Sequence, residues 1–188
     1  MSKSESRGFP LGVSGVITPL PPLTLVLGGA RSGKSRHAEG LLNRHPGRRV
    51  YLATAEVLDD EMAARVAAHR GRRDEDWKTV EEPLALADTL RAETEQGAAV
   101  LVDCLTLWLG NLMGAERDLE REIDGLVGAV HQFGGPVVFV SNEVGLGIVP
   151  DNAMARRFRD LAGNLHQRLA EKADRVVFMV AGLPMNLK

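Results

Sequence analysis

The octapeptide GGARSGKS, Gly28 to Ser35, matches the spacing GxxxxGK[ST] at all four fixed positions, and those residue types together can hold a polyphosphate. Glycines let the backbone N–H groups of Gly28, Gly29, Ala30, Arg31, Ser32 and Gly33 turn inward around phosphate oxygens. A helix expected to begin at Lys34 adds the positive end of its dipole. Lys34 offers a cation to the β and γ phosphates, and the Ser35 hydroxyl is a ligand for Mg²⁺. The plainer alternative, a turn that only joins strand to helix, accounts poorly for the full match between an apolar LTLVL and a helical pattern. Such a loop needs an acidic partner on a neighbouring strand, and VLVDC puts Asp103 at the end of an apolar run. Asp103 could equally cap the helical pattern that follows it, and the two roles are compatible.

A second constellation is DDEMAARVAAHRGRRDEDW, residues 59–77. Met62, Val66 and His69 are spaced i, i+4, i+7 and share one helical face, which turns His69 toward the protein body. Arg70, Gly71, Arg72 and Arg73 follow at once. Arginine forks suit phosphate oxygens. A neutral imidazole beside them could attack an α-phosphorus, with pyrophosphate leaving and a phosphoramidate forming. The residues alone leave open a simpler role, in which a histidine in the last turn of a helix interacts with the helix dipole.

The elements that must position these groups alternate along the chain. Strands are expected at residues 24–27, 50–53, 100–103, 137–141 and 175–180, and helices near 34–44, 59–70, 84–95, 117–132 and 152–172. A further helical pattern, LTLWLGNLM, is expected to end at Gly114. This alternation predicts an α/β fold with a mostly parallel central sheet flanked by helices, and with the phosphate-loop motif the expected fold class is a P-loop NTPase, RecA-like. Residues 1–22, rich in Ser, Gly and Pro, read as an extension, and 23–188 as one domain. Trp108 and Leu112, i and i+4, are expected in the core or at a subunit contact. His37, His45, His131 and His166 carry no shared motif.

The balance of charge narrows the chemistry. A net charge of −2 with 4% aromatic residues argues against a nucleic-acid track. No apolar run has the length of a membrane span. The single cysteine, Cys104, forms no internal disulfide and suits a reducing cytoplasm. Where a regulatory GTPase would carry an NKxD-like segment the sequence reads VSNEVGLGIVPDN, so a small-molecule kinase fits better. Gly145 and Gly147 in that segment imply a loop at the carboxyl end of a strand, suited to a substrate or a nucleotide lid, although a purely structural loop fits the residues as well.

The set GGARSGKS, RVAAH with its arginines and the following WKTVEEP, VLVDCLTLWLGNLM and NEVGLGIVP closely resembles the adenosylcobinamide kinase / adenosylcobinamide-phosphate guanylyltransferase family, across Leu23 to Lys188. The resemblance implies a bifunctional enzyme of cobalamin biosynthesis. Its first step phosphorylates the aminopropanol hydroxyl of adenosylcobinamide from ATP or GTP. Its second moves GMP from GTP through a guanylylated histidine to adenosylcobinamide phosphate, forming adenosylcobinamide-GDP. Carried onto this chain, the resemblance implies His69 as that histidine and Lys34 as a catalytic cation. It implies nucleotide contacts at residues 28–35, Ala53, Thr54, Ala55, residues 70–73, Glu81 and Asp103, with Ser35 and Asp103 on Mg²⁺. Ala55 stands where such proteins often have Ser, leaving only backbone for that contact. The resemblance also implies a homotrimer. A P-loop kinase without nucleotidyl transfer, or a nucleotide-dependent binding module, are the alternatives.

Overall fold

The computed structural model describes residues 19–55 and 76–188. The expected helix at 59–70, with His69 and the arginines, lies outside these described residues, as do residues 1–18 of the expected extension. Seven described strands form one sheet in the order β3-β2-β4-β5-β1-β6-β7. They are β1 (Leu23–Gly28), β2 (Arg49–Ala53), β3 (Trp77–Glu81), β4 (Ala99–Asp103), β5 (Val137–Asn142), β6 (Arg175–Val180) and β7 (Leu183–Asn186). Pairing is parallel throughout except between β6 and β7. The described helices are α1 (Lys34–Leu42), α2 (Leu86–Thr94), α3 (Leu105–Gly114), α4 (Leu119–Ala129) and α5 (Ala153–Lys172).

The central strands β1, β2, β4 and β5 read as largely apolar runs because both faces of the sheet are covered there. Side chains alternate between two cores: Leu25, Leu52, Val100 and Phe139 face one, and Val26, Tyr51, Leu101 and Val138 face the other. Trp108, Leu109 and Leu112 of α3 fill the first core, and Leu41 and Leu42 of α1 the second. Trp108 is a core residue, and its indole N–H donates to the Leu84 carbonyl at 2.9 Å. Burial of each such large apolar side chain stabilises the fold by about 1.5–3 kcal/mol. The body also takes in residues just before β1: Leu20 packs on the second core, and the Pro22 carbonyl accepts from the Val137 N–H at 2.9 Å.

Two strands lie outside the five expected ones. β3 is an edge strand whose side chains are partly or fully exposed, so it has no apolar run to betray it. It is fixed to β2 by Arg49 of that strand, which pairs with Asp76 at 2.8 Å and sits 5.7 Å over the Trp77 ring. β7 returns antiparallel through the two-residue turn Ala181–Gly182, with φ of 51° and 82°. Positive φ at both turn residues matches the twist of adjoining strands.

Candidate active site

Parallel pairing brings the carboxyl ends of the strands to one edge. Ala53 of β2 aligns with both Glu81 and Asp103, Asp103 aligns with Val140, and Gly28 aligns with Asn142. The predicted residues Gly28 to Ser35, Ala53, Thr54, Ala55, Glu81 and Asp103 therefore share that edge, the usual place for ligands in open α/β sheets.

The loop after β1 is shaped by close approach. Gly28 has φ 148°, and a Cβ there would stand 2.6 Å from the Met179 carbonyl oxygen. Gly33, at φ 95°, heads α1 without a side-chain cap, so the first N–H groups of the helix stay open to an anion. The loop is braced on two sides. The Glu143 N–H donates to the Gly28 carbonyl at 3.0 Å, and the Gly182 N–H, in the β6–β7 turn, donates to the Ser32 carbonyl at 3.0 Å.

Inside the loop, the Lys34 ammonium donates to the Gly29 carbonyl at 2.6 Å. Burial lowers its pKa below the ordinary lysine value, opposed in part by Cys104 and Asp103. The buried Ser32 hydroxyl has no hydrogen-bond partner among the described residues. A buried unpaired hydroxyl is costly, and a phosphate oxygen arriving in the loop would satisfy it.

Asp103 does not cap α3; that position belongs to Cys104. Its Oδ2 instead accepts from the Tyr51 hydroxyl at 3.1 Å. A hydroxyl at Ser35 and a carboxylate at Asp103 are hard oxygen donors of the kind Mg²⁺ prefers. No group of three or more acidic, histidine or cysteine residues that could cage a metal occurs among the described residues. Cys104 is buried, and burial first, then Asp103, pushes its thiol pKa up. It has no character of a nucleophile.

Thr54 ties two strand ends together. Its hydroxyl donates to the Cys104 carbonyl and accepts from the Cys104 N–H, both at 2.8 Å, while its own N–H donates to the Asp103 carbonyl at 3.2 Å. The Asn111 side-chain amide then donates to the Thr54 carbonyl at 2.7 Å and to that of Pro83 at 3.2 Å. These links cross long stretches of sequence, and no local pattern announces them.

One cluster was invisible in the sequence. The Ser141 hydroxyl lies 2.6 Å from Nε2 of His166, and Nδ1 of His166 lies 3.9 Å from Oε2 of Glu143. Burial lowers the His166 pKa, with Glu143 acting in the opposite direction. Beside Glu143, an apolar groove of about 1250 Å³ runs between the end of α3, the loop after β5 and the start of α5, with Gly110, Met113, Val144, Met154, Arg157 and Phe158 on its walls.

The family model for cobinamide kinase / cobinamide phosphate guanyltransferase matches residues 24–187. The bifunctional adenosylcobalamin biosynthesis protein CobP of Pseudomonas aeruginosa is 52% identical over 166 residues, covering 87% of this chain and 96% of its own. The corresponding CobU protein of Salmonella typhimurium is 42% identical over 181 residues, covering 88% and 99%. Among solved structures, the flagellar accessory protein FlaH from Methanocaldococcus jannaschii superposes with a TM-score of 0.53 at 12% identity, over 90% of this chain and 80% of that one. An ATPase from the type III secretion system of pathogenic bacteria gives a TM-score of 0.53 at 11% identity, over 89% and 57%. At such identities these two likenesses speak for the fold alone. With the phosphate loop, the row of strand ends and the match from residue 24 to 187 in agreement, this chain belongs to the cobinamide kinase / cobinamide phosphate guanyltransferase family.

Proposed function

We propose that this chain catalyses both steps of that family's chemistry. The first is transfer of the γ-phosphoryl group of ATP or GTP to the aminopropanol hydroxyl of adenosylcobinamide. The second is transfer of GMP from GTP, through a guanylylated His69, to give adenosylcobinamide-GDP. The observation that carries the reading is the phosphate loop, in which a buried Lys34 ammonium and an unpaired Ser32 hydroxyl await an anion at the edge that also holds Asp103.

In this reading Lys34 draws off charge that develops on the transferring phosphoryl group. Ser35 and Asp103 hold Mg²⁺, which when bound neutralises phosphate charge. Ala53, Thr54, Ala55 and Glu81 line the nucleotide; Thr54 does so through its backbone position, since its hydroxyl is engaged with Cys104. His69 is the nucleophile at the α-phosphorus, with Arg70, Gly71, Arg72 and Arg73 around the phosphates. The groove along α3 and α5 receives the bulky corrinoid, its apolar walls against the ring and Arg157 available to ring amides. The assembly is a homotrimer.

The test is covalent labelling. Incubation with GTP labelled on the α-phosphate should leave an acid-labile, base-stable label on the wild-type protein and none on His69→Ala. Label that persists in the variant removes His69 from this role.

A further inference from the structure

Ser141, His166 and Glu143 have the order of a hydrolytic triad, yet the serine cannot be a nucleophile. Ser141 is fully buried within β5, between β4 and β1. The chain of groups therefore works outward, and its open end is the carboxylate of Glu143, whose side chain is 22% exposed.

Three features fix that carboxylate. The Gly145 N–H donates to Oε1 at 2.5 Å, which commits one oxygen and leaves Oε2 facing only Nδ1 of His166, at 3.9 Å, among the described contacts. The Glu143 backbone is bonded to the Gly28 carbonyl, so the residue stands at the mouth of the phosphate loop. The next residue, Val144, lines the apolar groove. Glu143 thus sits where a nucleotide on one side would meet a substrate on the other.

His166 supports this placement. A neutral imidazole carries one N–H; with the Ser141 hydroxyl donating to Nε2, that N–H lies on Nδ1, the ring nitrogen 3.9 Å from Oε2 of Glu143. The gap of 3.9 Å is longer than a hydrogen bond, so the imidazole lies behind Oε2 and leaves it able to accept a substrate proton.

We propose that Glu143 is the catalytic base of the phosphoryl-transfer step, and that His166 and Ser141 are positioning residues behind it. The proposal rests on the kinase reading given above. As the substrate hydroxyl oxygen bonds to the γ-phosphorus, the bond from that phosphorus to the β–γ bridging oxygen breaks. The nucleoside diphosphate leaves with the electron pair, and the hydroxyl proton passes to Oε2 of Glu143. A positioned base contributes on the order of 100-fold or more to such a step.

The experiment uses the full chain with adenosylcobinamide and ATP·Mg²⁺, measuring kcat, KM and nucleotide Kd for wild type, Glu143→Gln and Glu143→Asp. Glu143→Gln should lose about 100-fold in kcat with nucleotide Kd within threefold of wild type, and Glu143→Asp should recover part of the loss. A wild type that forms no phosphorylated product overturns the kinase reading and this role with it. A wild type that turns over while Glu143→Gln keeps kcat within threefold overturns the role of Glu143 alone. For His166, the Gln variant retains a side-chain N–H and should keep more kcat than His166→Leu; equal losses at unchanged nucleotide Kd remove it as a positioning residue. Glu143 lies at a half-buried loop position, so its variants decide the proposal by themselves.

Discussion

Lys34 shows how one residue can be costly to the empty fold and necessary to its function. Burial lowers its pKa, so the unfolded chain holds the proton more tightly than the folded one. Stability from this group therefore rises with pH between the lowered folded value and the ordinary lysine value, and at neutral pH the buried charge is a net burden. Lys34→Met should raise the melting temperature of nucleotide-free protein at pH 7. The same substitution removes a charge-assisted hydrogen bond worth about 1.5–3 kcal/mol, which would weaken nucleotide binding roughly 10- to 100-fold. Thermal melts and titration calorimetry on the variant check both directions, and a destabilised empty protein would contradict the first.

At the scale of elements, α3 connects two parts of the site. It leaves Asp103 at one end, and its Gly110 and Met113 form a wall of the groove. A Cβ at Gly110 would meet no atom within 4 Å, so the space belongs to whatever enters the groove. Gly110→Phe fills that space while removing a glycine that disfavours the helix by about 1 kcal/mol. Steady-state kinetics should show KM for adenosylcobinamide raised by about tenfold or more, equivalent to about 1.4 kcal/mol, with nucleotide Kd unchanged. An unchanged KM would place the corrinoid elsewhere. Elements also explain what could be read from the sequence. β1, β4 and β5 were legible because burial on both faces leaves an apolar run, and GGARSGKS because its chemistry is local. β3 exposes Lys78 and Thr79 on the sheet edge, and β7 is exposed along its length, so neither carries such a run. The turn at Ala181–Gly182 was the available sign of β7. His166 lies in an ordinary helical pattern, and only the packing of α5 against the sheet brings it to Ser141. The bond from Asn111 to Thr54 depends in the same way on distant strands meeting.

For the molecule as a whole, nucleotide binding and folding are linked. The phosphate loop is fastened to both neighbours of β1, through Glu143 after β5 and Gly182 after β6. A ligand that binds only the folded chain at one hundred times its Kd stabilises it by about 2.7 kcal/mol. For a chain of 188 residues that corresponds to roughly 5–10 °C in Tm. A thermal scan with GTP·Mg²⁺ should show this rise in the wild type, and a flat response at saturating nucleotide would argue against the loop as the binding site.

The central position of β1 has a further consequence, for synthesis. Leu23 aligns with Val137, and Thr24 aligns with Arg175, so the strand that leads into the phosphate loop is paired on both sides by segments far downstream of it. The nascent chain carries an apolar LTLVL without its partners until β5 and β6 have been made. Pairing across such separations is slow and exposes the chain to aggregation. Truncation before β6 would therefore leave the nucleotide site with one flank open, and the phosphate loop is held on both sides only once β6 has joined β1.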